Sequence, residues 1–210
     1  MNMKWLSGLI GILLSIHAFA DGVLSEPSSL DQPWSITASF GNSKYQNSIN
    51  ESAVGRLALG NDLLLTGDYL LGLELGLQNG HRLKFDVPAE TLAVLEWLPV
   101  HTTLGPMLDL LITAKSDPLV GSNFFAQLKG GVAYRYWEAN HPSVNDLSQL
   151  AGEIQAGFGY PITALATLSL LYQGVFGNDP DISINTVTKT ASVSNIPSLH
   201  AVLLGFTVNL

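Results

Sequence analysis

The sequence predicts an all-β chain folded as an eight-stranded antiparallel up-and-down transmembrane β-barrel, and three observations carry that expectation. Leu71, Leu73, Leu75 and Leu77 alternate with Gly72, Glu74, Gly76 and Gln78, a two-residue beat that puts the leucines on one face of a strand and polar or absent side chains on the other. The first twenty residues read as an export signal. The ionisable residues in the middle of the strands fall on the parity opposite to the leucines, as a wall with lipid outside and a polar interior requires.

Lys4 supplies the positive n-region of the signal, Trp5 to Ile16 the apolar stretch, and Ala18-Phe19-Ala20 a small-x-small site before Asp21. The apolar run is shorter than the roughly 20 residues of a spanning helix. Residues 1–20 are therefore expected to be removed as a signal peptide, leaving 21–210 as the barrel domain. The chain has no cysteine, so lipoprotein-type acylation and disulfides are both unavailable, and closure of the sheet must hold the fold together. The formal net charge is −8, and the leader carries Lys4 as its one charge, so export leaves the chain more acidic still, which speaks against a nucleic-acid partner. Charged residues make up 12% of the chain and apolar ones 47%, yet outside the leader no stretch approaches a spanning helix. Such a chain suits a bilayer as a closed barrel, because closure pairs every backbone group without water. The expected location is the bacterial outer membrane, reached through the periplasm.

Taken in order, the spans are Pro33–Lys44, Ser52–Asp62, Gly67–Arg82, Leu104–Lys115, Asn123–Glu138, Gln149–Pro161, Ala164–Phe176 and Ser198–Leu210. The parity of each comes from its apolar residues: Leu57 and Leu59 stand opposite Arg56, the leucine ladder opposite Glu74, Leu108 and Leu110 flank Asp109, Leu128 precedes Lys129, and Ile154 follows Glu153. The last strand has apolar residues at 202, 204, 206, 208 and 210. An even count returns both ends to the periplasm. The connections Asn61–Gly67, Ser116–Ser122 and Tyr160–Ala164 are short, as periplasmic turns should be, whereas Asn42–Glu51, Leu83–Thr103, Ala139–Ser148 and Gly177–Pro197 are long and mostly polar, as external loops should be. Thr91–Val100 is apolar enough to form a strand; an extra strand would make the count odd, so it is expected as an extension or fold-back within the second external loop.

Arg56, Glu74, Asp109, Lys129, Arg135 and Glu153 all take the inward parity, and their charges sum to zero. Unpaired charges in a narrow lumen are costly and charges in lipid are worse, so the expected arrangement is mutual pairing inside the barrel, with Lys129 facing Glu74, Asp109 or Glu153. An interior just wide enough for side chains favours an ion-pair plug over an open pore. Gly72, Gly76, Gly131, Gly157, Gly159 and Gly205 share the inward parity and make room for the long charged side chains. Leu75 is expected in lipid, and Gln78, on the other parity and nearer the external end, on a wet side that would tolerate arginine. Trp34, Phe40, Tyr45, Tyr69, Phe124, Tyr134, Tyr136, Trp137, Tyr160, Tyr172 and Phe176 cluster near strand ends, where rings suit the headgroup girdles.

The segments YLLGLELG (69–76), LDLLIT (108–113), KGGVAY (129–134) and QAGFGY (155–160), with the ending Leu203-Leu204-Gly205-Phe206, come in this order after a signal peptide. On these the mature chain resembles the small OmpA-like or opacity-type outer-membrane β-barrel family. The resemblance implies a surface antigen, adhesin or structural barrel acting through its external loops, with a small porin or hydrophobic-molecule channel as the alternative. It implies contact with outer-membrane lipid and lipopolysaccharide, a possible host-surface ligand, a monomeric state, and recognition of the last strand by the barrel assembly machinery. Such strands usually end in an aromatic residue, and Leu210 departs from that pattern. No peptidoglycan-binding domain is expected after the last strand.

A lipid A-modifying enzyme is a lesser alternative, since some small barrels carry one. His81, His101 and His141 fall in external connections, with Ser143 close behind His141, but a nucleophile needs a base that is itself oriented by a carboxylate, and the spacing supplies no such set. Asn178 and Asp179-Pro180-Asp181 offer oxygen ligands of the kind calcium takes, but too few, and the segment reads as a turn. His200 lies on the outward parity near the external end of the last strand, where an interfacial role suffices. No catalytic residue, metal site or cofactor is expected.

Overall fold

The computed structural model describes residues 33–46, 51–67, 69–80, 82–84, 101–119, 121–139, 144–185, 187–188 and 190–210. Residues 1–32, and with them the expected signal peptide, lie outside that set, as does the apolar segment Thr91–Val100.

Eight long strands form the wall: β1 (Trp34–Tyr45), β2 (Glu51–Thr66), β3 (Tyr69–Gln78), β6 (Met107–Ser116), β7 (Phe125–Ala139), β8 (Leu147–Pro161), β9 (Ala166–Val175) and β12 (Leu199–Asn209). Each pairs antiparallel with its neighbour in that order, and β12 returns to β1 over the register Ser35↔Asn209 to Tyr45↔Leu199, which closes the barrel. The Leu210 amide donates to the Trp34 carbonyl at 2.9 Å, continuing the seam to the last residue.

Burial runs inside out relative to a soluble sandwich. Leu150, Phe40, Ile112 and Leu57 point outward at 67%, 63%, 63% and 61% exposure, while Ser35, Thr37, Ser39, Thr113, Gln155 and Ser169 are buried. The leucine row Leu59↔Leu75↔Leu110 runs across β2, β3 and β6 on the outer face. A wall this apolar outside and this polar inside is stable where hydrocarbon, rather than water, covers it.

The turn between β2 and β3 is tighter than the expected Asn61–Gly67. β2 continues to Thr66, taking up the extra residue in an irregularity between Asp62 and Leu64, and pairs Leu64 and Leu65 with Leu71 and Leu70. Gly67, at φ +56°, supplies the left-handed backbone that so short a turn needs. At the next turn Gly121, at φ +77°, does the same. Between β8 and β9 the Thr163 hydroxyl accepts from the amides of Leu165 and Ala166 at 3.2 and 3.0 Å.

The opposite end differs more from expectation. The second long connection carries β4 (Arg82–Lys84) and β5 (His101–Leu104), which pair with each other, and β5 extends onto β7 through Thr102↔Ala139 to Leu104↔Trp137. The extension or fold-back expected of Thr91–Val100 lies outside the described residues, and the wall has eight strands. The last connection, expected as a long and mostly polar loop, contains the hairpin β10 (Ile182–Asn185) and β11 (Thr190–Val193) and buries Ala191, Val193 and Ile196. A parallel bridge between Val144 and Ala191 ties it to the preceding loop.

Candidate functional site in the lumen and its mouth

All six inward charged residues are at most 5% exposed, so the interior is dry at their level. The strands place them at staggered heights. Arg56 on β2 stands beside Gln78 on β3, Asp109 on β6 beside Gly76, Lys129 on β7 beside Thr113, and Glu153 on β8 beside Gly131. Four meet across the lumen. Arg56 Nε donates to Asp109 Oδ2 at 2.9 Å, and its Nη1 lies 2.8 Å from Glu74 Oε1. Lys129 Nζ reaches the other oxygen of Glu74 at 2.7 Å. Glu74 is thus held between two cations, and Lys129 takes it in preference to Asp109 or Glu153. Gly76 makes the crossing possible, because a Cβ there would strike both the Arg56 guanidinium and the Asp109 carboxylate.

The other two residues depart from mutual pairing. Among the described residues Arg135 meets no carboxylate; its Nη1 donates to the Pro197 carbonyl at 2.7 Å, and its Nη2 to the carbonyls of Ile196 and Phe176, each at 3.1 Å, and to Gln149 Oε1 at 3.0 Å. It stands a few rungs nearer the mouth, where the ends of the last loop present free carbonyls, and a guanidinium's fork of donors suits several acceptors at once. Glu153 makes no ion pair among the described residues. Its Oε1 accepts from Gln155 and Gln173, each at 2.7 Å, and Gln173 also donates to Gln78 Oε1 at 3.0 Å. Gln173 joins Glu153 to Gln78, the register partner of Arg56, so the glutamines stand between this carboxylate and the cluster.

Residue charge alone could not reveal the rest of the interior. Gln78, Gln155 and Gln173 are buried around Glu153, and Gln127 is buried beside Lys115 nearer the short turns; their inward parity was the available signal. Lys115 and Asp62 form a second ion pair toward the short-turn end, Nζ lying 2.9 Å from both carboxylate oxygens. Above the polar layers sits an apolar cluster that includes Tyr45, Leu104, Met107, Trp137, Val144, Val193, Ile196 and Leu199. Tyr45 and Trp137, expected in the headgroup girdle, instead point inward at 7% and 2% exposure, because they supply this cap with bulk. Trp34, Tyr69, Phe124 and Tyr160 at one end, and Tyr134, Tyr172 and Phe176 at the other, do face outward.

Closed antiparallel pairing, short turns at one end, long loops at the other and an apolar exterior together define a known architecture. This chain has the fold of the small eight-stranded outer-membrane barrels. A major outer membrane protein from Thermus thermophilus matches it with a TM-score of 0.51 and 14% identity, over 84% of this chain and 99% of that one. Neisserial surface protein A matches with a TM-score of 0.50 and 12% identity, over 85% and 97%. The attachment invasion locus protein of Yersinia pestis, in complex with the heparin analogue sucrose octasulfate, gives 0.47 and 8%, over 84% and 96%. No family model and no curated protein matches the chain. With this fold and this outer face, its place is the bacterial outer membrane.

His81 and His141 lie outside the described residues, as does Ser143, and of His101 the backbone in β5 is described. His200 engages Tyr172 on the outer wall, its Nδ1 lying 2.6 Å from the tyrosine hydroxyl. Among the described residues no cluster of three or more His, Cys, Asp or Glu could hold a metal ion.

Proposed function

We propose that the protein is a closed structural barrel of the outer membrane whose lumen is plugged by ion pairs and whose external loops act as a surface antigen or adhesin. The observation that supports this most is the stacking inside the wall: the Arg56–Asp109–Glu74–Lys129 network, the glutamine layer around Glu153, and the apolar cap held down by Arg135. A lumen filled at three successive levels leaves the loops as the part available to partners. No catalytic step enters this reading. Purified protein in a planar bilayer should be silent; stable stepwise openings would overturn the plug and favour a small porin. The apolar lining of the mouth, with Met107 and Trp137 in it, favours a hydrophobic-molecule channel as the second reading. Arg135→Ala, which removes the hold on the last loop, separates the two: uptake of an apolar probe into cells that rises with this variant supports the channel.

The orientation has its own test. Epitope tags placed after Tyr45 and in the segment 186–189 should be stained on intact cells, because both follow strand ends opposite the short turns. Staining that requires permeabilisation would invert the topology.

A further inference from the structure

On the outer wall, at the loop end, three polar residues lie on neighbouring positions where β9, β12 and β1 run side by side. Lys44 and His200 are register partners across the closing seam, and both are exposed, whereas their chain neighbours Tyr45, Leu199 and Ala201 point inward. Opposite His200 on β9 is Gly174, and the Tyr172 ring lies against it, 3.7 Å from where a Cβ would stand. Tyr172 Oη lies 2.6 Å from His200 Nδ1, and the two rings stack with centroids 6.1 Å apart. With the hydroxyl donating to Nδ1, the imidazole carries its proton on Nε2, and that N–H is directed away from Tyr172, free to donate.

The same face turns apolar just below: Val202 is 53% exposed and Leu170 56%. The three polar groups therefore sit at the boundary between hydrocarbon and headgroups, where a lysine is tolerated and meets lipid charge. Glu51 is Lys44's partner on the β2 side, but no ion pair joins them. Among the residues whose side chains are described, no other lysine, arginine or histidine faces outward at the loop end.

We propose that Lys44 and His200, with Tyr172 orienting the imidazole, bind a phosphate group of an outer-leaflet lipid. An ammonium and an N–H donor on adjacent strands offer a phosphate two charge-assisted hydrogen bonds. The site lies outside the wall, so it is independent of whether the lumen is plugged. It does depend on the long loops facing outward, which the epitope tags test separately.

Native mass spectrometry of the folded protein in neutral detergent tests it, with bisphosphorylated lipid A and its dephosphorylated counterpart as probes. The phosphorylated lipid should be retained, and the dephosphorylated one should bind roughly tenfold more weakly, the loss expected for one or two hydrogen bonds to a charged group. Lys44→Gln combined with His200→Gln should abolish that preference, and Tyr172→Phe should reduce it. Equal retention of the two lipids by the wild type, or an unchanged preference in a double variant that still migrates as a compact barrel, would overturn the proposal. Displacement of the lipid by millimolar inorganic phosphate would assign the site to a free anion instead.

Discussion

Arg56→Leu is expected to produce the larger of the two strongest destabilisations available in this protein. The substitution leaves Asp109 without its guanidinium in a dry interior and takes one of two cations from Glu74. Removing one partner of a buried pair typically costs about 3–5 kcal/mol, because the remaining charge keeps its desolvation penalty without its compensation. Lys129→Ala should cost less, since Glu74 retains Arg56 at 2.8 Å. The ordering is the test: urea titration of each variant in lipid vesicles, read by the fraction that migrates as a compact barrel on an unheated gel, should rank the wild type above Lys129→Ala and that above Arg56→Leu. Pairing Arg56→Leu with Asp109→Leu should recover much of the loss, because an apolar replacement of both partners leaves no orphan. An Arg56→Leu barrel as stable as the wild type would mean that water reaches Asp109 and that the plug is porous.

Leu75→Arg should impair assembly by about 2–4 kcal/mol, the range for arginine on the lipid face near the bilayer midplane. Leu75 stands in the row between Leu59 and Leu110, so its neighbours give the guanidinium no polar group to meet. Gln78, expected from parity alone to tolerate arginine, does face inward, but it is 1% exposed and accepts from Gln173. A longer cation there would overfill the layer beside Arg56. The suitable control is Phe176→Arg, outward at the loop end with 59% exposure, where the cost should fall to roughly 0–1 kcal/mol near the interface. Refolding yield into vesicles reads both variants. Equal yields would show that the leucine row is not in lipid.

The strand count, the inward and outward assignment of most wall residues, and the short-turn end were legible in the sequence because each depends on a local rule. A period of two allows each strand one registry of faces, and slipping β2, β3 or β7 by a residue would send Arg56, Glu74 or Lys129, respectively, into hydrocarbon. The tertiary structure decided which inward residues meet. Register and stagger carry Lys129 to Glu74 and leave Glu153 to the glutamines, and no feature of chain spacing encodes that height. It also decided the mouth. Tyr45 and Trp137 look like girdle aromatics until the last loop folds Val193 and Ile196 onto them, and Arg135 looks like one half of an ion pair until the loop's carbonyls lie within its reach. Parity is a property of neighbouring residues, whereas partners in the lumen come from strands one or two apart for the ion pairs and half a barrel apart for Gln78 and Gln173, and the curvature of the closed wall brings them together.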